Sequence, residues 1–128
     1  MLRFDDPKTY ELLLDVCAHY GVDPSNSLEA EKYFTNLLAQ YTGNVDPESV
    51  ITWLEERVAR LFVAIGERPH WIQGLDWPIV DEEPTIFVGQ IDISVSDGGI
   101  ASELYHDDTS FYIFVQRRGS PIVVMQQF

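Results

Sequence analysis

PESVITWLEERVARLFVAIG, residues 47–66, holds the clearest hydrophobic period in this chain. Val50, Ile51, Leu54, Val58, Leu61, Phe62 and Ile65 recur at helical spacing and form one broad stripe, while Glu55, Glu56, Arg57 and Arg60 occupy the other side. Asp46 offers a capping carboxylate, Pro47 fits the first helical position, and Glu48 faces the positive end of the helix dipole. Gly66 is the expected stop. Beyond the connector that follows, the period changes. TIFVGQIDISV, residues 85–95, alternates, with Phe87, Gly89, Ile91, Ile93 and Val95 on one face and Ile86, Val88, Gln90, Asp92 and Ser94 on the other. A helix whose stripe faces a sheet is the expected arrangement.

Working outward, two more helices precede residue 47. Asp5 or Asp6 caps the first, Pro7 enters it, and Tyr10, Leu13, Leu14, Cys17 and Tyr20 line its apolar side as far as Gly21. The second begins near Ser27, carries Leu28, Phe34, Leu37, Leu38 and Tyr41, and is expected to end at Gly43. After residue 95, SDGG (96–99) has turn chemistry, and strands are predicted over 110–116 and 121–127 with RRGS (117–120) as a short antiparallel loop. The fold class expected is α+β, an N-terminal three-helix segment packed on a C-terminal, mainly antiparallel β-sheet. Residues 1–128 read as a single domain, with a helical segment over 1–66, a Trp/Pro connector over 67–84 and a β segment over 85–128.

Composition narrows the class of function. A hydrophobic share of 45% and an aromatic share of 12% belong to a folded core rather than a disordered chain. The formal charge is −13, from 21 acidic and 8 basic residues, which disfavours nucleic acid as a partner. No apolar run approaches membrane-spanning length, no secretory pattern opens the chain, and Cys17 is the single cysteine; a cytoplasmic setting is therefore expected. Charge is unevenly placed. Between Arg68 and Arg117 there is no lysine or arginine, while nine acids occur, among them Glu82, Glu83, Asp92, Asp107 and Asp108.

The same window holds the residues with chemical potential. Trp71 and Trp77 lie six apart among Pro69, Gly74 and Pro78; they either plug one end of the core, each N–H on a backbone carbonyl, or form an aromatic lip around a ligand. Gln90 and Asp92 are polar positions on a strand, suited to tying an irregular loop to the sheet, and Gly89 beside them marks a bulge or a close approach. His106, Asp107 and Asp108 are consecutive, which fits a loop leading into a strand better than convergence on one ion. No nucleophile elbow, phosphate loop or dinucleotide fingerprint is present. Neither a catalytic residue, nor a metal ligand, nor a cofactor is assigned.

The combination of Gln73, Trp77 and Pro78 with Phe87, Gly89, Gln90, Ile91 and Asp92 resembles the Gln-x-x-x-Trp-Pro element and the Gln-Ile-Asp strand of the YwqG-like bacterial proteins. That resemblance implies a mixed α/β fold and supplies no activity. The reading preferred on the residues is a small acidic, non-enzymatic protein-interaction domain, of immunity-protein, inhibitor or adaptor type, binding a basic protein partner. Two alternatives stay open. One is a domain that binds a small ligand or metal, as a binding protein or as an enzyme, in a pocket near the Trp-Pro connector; the other is a YwqG-like domain whose acidity serves solubility only.

Overall fold

Side-chain oxygens replace the missing backbone partners at the start of each helix. In the computed structural model, which describes residues 2–94 and 108–127, α1 (Pro7–His19), α2 (Leu28–Ala39) and α3 (Pro47–Leu61) are capped by Asp6, Ser27 and Asp46. Each cap accepts the amide three residues on, from Thr9, Ala30 and Ser49. Gly21 ends the first helical region at a φ of +78°, and a Cβ there would stand 3.2 Å from the Trp71 indole nitrogen. Gly43 does not stop the second helix, which ends at Ala39. Leu28, counted on its apolar side, is exposed.

The third helix is one turn shorter than its stripe. It ends at Leu61, and residues 63–65 run extended beside Phe87, whose amide donates to the Val63 carbonyl at 2.9 Å and whose carbonyl accepts from Ile65 at 3.0 Å. The run Phe62-Val63-Ala64-Ile65 is rich in aromatic and β-branched residues, and a sheet edge gives it backbone partners that a frayed helix end lacks. Ile65 is consequently 70% exposed, outside the stripe the sequence assigned to it. Ile65→Ser should change urea-unfolding stability by less than about 0.5 kcal/mol, the usual figure for a surface site. A loss of about 2 kcal/mol or more would place Ile65 back in the core.

Val50, Leu54 and Val58 are fully buried, and α3 packs along α1. An aromatic chain joins this helical layer to the sheet. Phe34 stacks on Phe62 at 5.6 Å, Phe62 meets Trp77 edge-on at 5.6 Å, and Trp77 meets Phe114 at 5.4 Å. Between the layers, the connector forms a small antiparallel hairpin, β1 (Ile79–Val80) and β2 (Glu83–Pro84), which the sequence pattern does not announce.

The sheet is antiparallel in the order β3 (Ile86–Ile93), β4 (Thr109–Val115), β5 (Pro121–Gln127). The α+β class expected from the sequence is the one found. One feature of β3 is different. A bulge falls between Phe87 and Gly89, so Phe87 pairs with Phe114, Gln90 with Tyr112 and Asp92 with Ser110. One extra residue reverses the alternation downstream. Phe87, Gln90 and Asp92 therefore share the inner face, while Ile91 pairs with Phe111 on the outer one. The expected turn at 96–99 and Val95 lie outside the described residues. Among the described residues, no helix is long and apolar enough to cross a membrane.

Candidate functional site

The two tryptophans seal the connector to the core in different ways. Trp77 is 2% exposed, and its indole N–H donates to the Thr85 carbonyl at 2.8 Å. Trp71 is half-buried, lies over Tyr112 at 4.3 Å and donates to the Gly21 carbonyl at 2.9 Å. Both N–H groups thus end on backbone carbonyls, and Trp71 is the more exposed of the pair. Arg68 sits beside them, its guanidinium 4.7 Å from the Tyr20 ring and donating to the Phe62 carbonyl at 2.8 Å.

Residues 70–74 cross the inner face of the sheet without forming a strand, and three side chains supply the partners a strand would have. Gln90 accepts from the His70 amide at 2.8 Å and donates to the His70 carbonyl at 3.2 Å. The Tyr112 hydroxyl donates to that same carbonyl at 2.9 Å and accepts from the Ile72 amide at 3.2 Å. Gln126 accepts from Ile72 and Gln73 at 3.2 and 3.0 Å and donates to the Gly74 carbonyl at 2.8 Å. Of these residues the sequence singles out only Gln90. Tyr112 and Gln126 pass there as ordinary strand residues; their signal is a face shared with the buried Phe114, Tyr112 standing two residues before it along β4 and Gln126 pairing with Ser110 of the same face.

Asp92 accepts from the Ser110 hydroxyl at 2.5 Å and from Gln90 at 2.8 Å, and these bonds hold its carboxyl below the usual aspartate range, the Ser110 bond most. A carboxylate lowered in the folded state adds stability above its unfolded pKa, and that contribution is lost as pH falls through the folded value. Acid unfolding of Asp92→Asn should accordingly show a shallower fall in stability below the ordinary aspartate range than the parent. Parallel curves from thermal melts at stepped pH would remove Asp92 from that role.

The acidic candidates do not converge. Glu82 and Glu83 lie at the β1–β2 hairpin, whereas Asp92 and Asp108 lie at the opposite end of β3, about 25 Å away at strand rise. Counter-charges arrive from outside the basic-free window. Lys32 of α2 meets Glu82 at 3.1 Å, and Arg117 and Arg118 share a groove of about 240 Å³ with Asp81 and Glu83. Asp108 accepts from the Ser94 hydroxyl at 3.3 Å; His106 and Asp107 lie outside the described residues.

Gln90, Asp92, Asp108 and Ser110 do line one open groove of about 460 Å³ together with His70. Its chemistry is largely committed. Gln90 and Asp92 are engaged with backbone and with one another, and the His70 ring lies 3.5 Å from Glu67. Among the described residues no group of three or more histidine, cysteine or acidic side chains is placed to hold a metal. Cys17 is fully buried, and burial pushes its thiol up, away from the reactive thiolate. Comparison with family models, with curated proteins and with solved structures finds no match, so the resemblance to the YwqG-like proteins rests on its own residues.

Proposed function

We propose that this chain is a small acidic, non-enzymatic interaction domain, acting in the cytoplasm, that binds a basic protein partner as an immunity protein, inhibitor or adaptor does. The observation that supports it most is the turn of the β1–β2 hairpin. Asp81 and Glu82 both have positive φ, 51° and 64°, which is the type I′ geometry that favours asparagine and glycine. Holding two acidic residues there costs on the order of 1 kcal/mol each. Strain of this kind is retained where a side chain is needed at the tip. The hairpin is anchored by Trp77 and Thr85, so the carboxylates of Asp81, Glu82 and Glu83 project from a fixed base. Beside them is a groove of about 350 Å³, lined by Glu29, Lys32, Tyr33 and Asn36 of α2, where a partner's arginine would compete with the exposed Lys32 for Glu82.

The test separates stability from binding. Asp81→Gly relieves the backbone and should stabilise the fold by about 0.5–1 kcal/mol. The same change, combined with Glu82→Gln and Glu83→Gln, should slow association with a partner captured from native lysate and flatten its salt dependence. Lys8→Gln is the control. Lys32 is not, because it already pairs with Glu82. Unchanged association by the triple variant would return the acidity to solubility alone.

A further inference from the structure

We propose that Lys32 is a built-in competitor for the partner's cation: in the free chain it occupies Glu82, and the side chain that displaces it is an arginine. The proposal rests on the acidic hairpin being the partner-facing site, and it adds what governs entry there. Glu29, Lys32 and Asn36 recur three and four residues apart on one side of α2, while Phe34 and Leu38 on the other side are fully buried. The helix is thus fixed to the core, and Lys32 reaches the hairpin from a rigid base, its ammonium 3.1 Å from Glu82. Glu29 and Asp81 line the same groove and, among the described residues, form no ion pair. Residues 1, 95–107 and 128 include no lysine or arginine, so every such side chain of the protein is accounted for.

The strength of the internal pair suits a competitor. Its two side chains are 68% and 71% exposed, so water and salt screen it and an incoming charge can displace it. A lysine of the partner gains little by entering, since it exchanges one ammonium–carboxylate contact for another of the same kind. A guanidinium gains more. Its planar fork can meet Asp81 and Glu82 together, which a single ammonium does less well. Tyr33 adds a ring in the same groove for the guanidinium to lie over, held edge-on by Phe34 at 5.3 Å and by Phe62 at 6.0 Å. Lys32 therefore sets a threshold that arginine clears and lysine does not.

Isothermal titration of a hexa-arginine peptide into the full chain at low salt tests this. Lys32→Gln should bind about threefold more tightly than Lys8→Gln, which removes the same charge at the start of α1. Lys32→Arg keeps the net charge but holds Glu82 with a fork, and should bind about twofold more weakly than the parent. Hexa-lysine should bind the parent less tightly than hexa-arginine, and Tyr33→Leu should narrow the difference. Lys32→Gln no tighter than Lys8→Gln, or Lys32→Arg at parental affinity, overturns the competitor while leaving the acidic hairpin as the site. Equal affinity of the two peptides for the parent overturns the choice of arginine. If the parent and the variant combining Asp81→Gly, Glu82→Gln and Glu83→Gln bind hexa-arginine alike, the hairpin is not the site, and the competitor falls with it.

Discussion

Trp77→Ala should destabilise the domain by about 3–5 kcal/mol, the range for truncating a buried large aromatic. The effect is large because one ring closes three interfaces. Phe62 from the end of α3, Phe87 from β3 and Phe114 from β4 all meet it within 5.4–6.2 Å between centroids. Removing it separates the helical layer from the sheet where the aromatic chain joins them. A loss of this size is a substantial fraction of the roughly 5–15 kcal/mol typical of a small domain. Trp77→Phe isolates the polar side of the role. It keeps most of the ring contact but leaves the Thr85 carbonyl without its donor, at a cost of about 1–3 kcal/mol. Urea unfolding of both variants decides the matter. Equal losses would mean that the ring volume is unimportant, and an alanine variant within about 1 kcal/mol of the parent would remove Trp77 from the centre of the core.

Helices and strands are legible in the sequence because each obeys a local rule. Asp6, Ser27 and Asp46 announce the helix starts, and all three cap as their chemistry requires. The change of period after Gly66 points to the α+β class, and the strand expected over 121–127 has those limits in the structure. What the local pattern misassigns depends on partners distant in sequence. Residues 62–65 continue a helical stripe on paper, yet Phe87 supplies a backbone partner that the local pattern does not reveal. The bulge before Gly89 likewise moves Gln90 and Asp92 to the inner face, so a strict alternation assigns the faces of β3 wrongly from that point. Gly89 itself carries the hint. The candidate site is partly visible in Trp71, Trp77 and Gln90, whose structural reading requires irregular backbone held by side chains. Lys32 and Arg117 show the opposite case. A window without basic residues in sequence is not a surface without them in space.

Gln126→Leu should cost about 2–4 kcal/mol, although the substitution is nearly isosteric and apolar. Gln126 is buried, and its amide satisfies the Ile72 and Gln73 N–H groups and the Gly74 carbonyl together. Leucine answers none of them; the Ile72 amide keeps the Tyr112 hydroxyl, but the Gln73 amide and the Gly74 carbonyl lose their partner, and each costs on the order of 1–3 kcal/mol unless the connector lifts to reach water. Lifting has its own cost, because Trp71 would leave the Tyr112 ring. Gln90 performs the same service for His70 at a half-exposed position, where water can replace it; Gln90→Leu should therefore lose less than about 1 kcal/mol. Tyr112→Phe should not add independently to Gln126→Leu, since both side chains bond the Ile72 amide. Amide exchange provides the site-specific readout: Gln73 should lose protection in Gln126→Leu, while Ile72, still bonded to Tyr112, and the strand amides keep theirs. Retained protection at residue 73 would show that Gln126 is incidental to docking, and that Trp71, Gln90 and Tyr112 hold the connector without it.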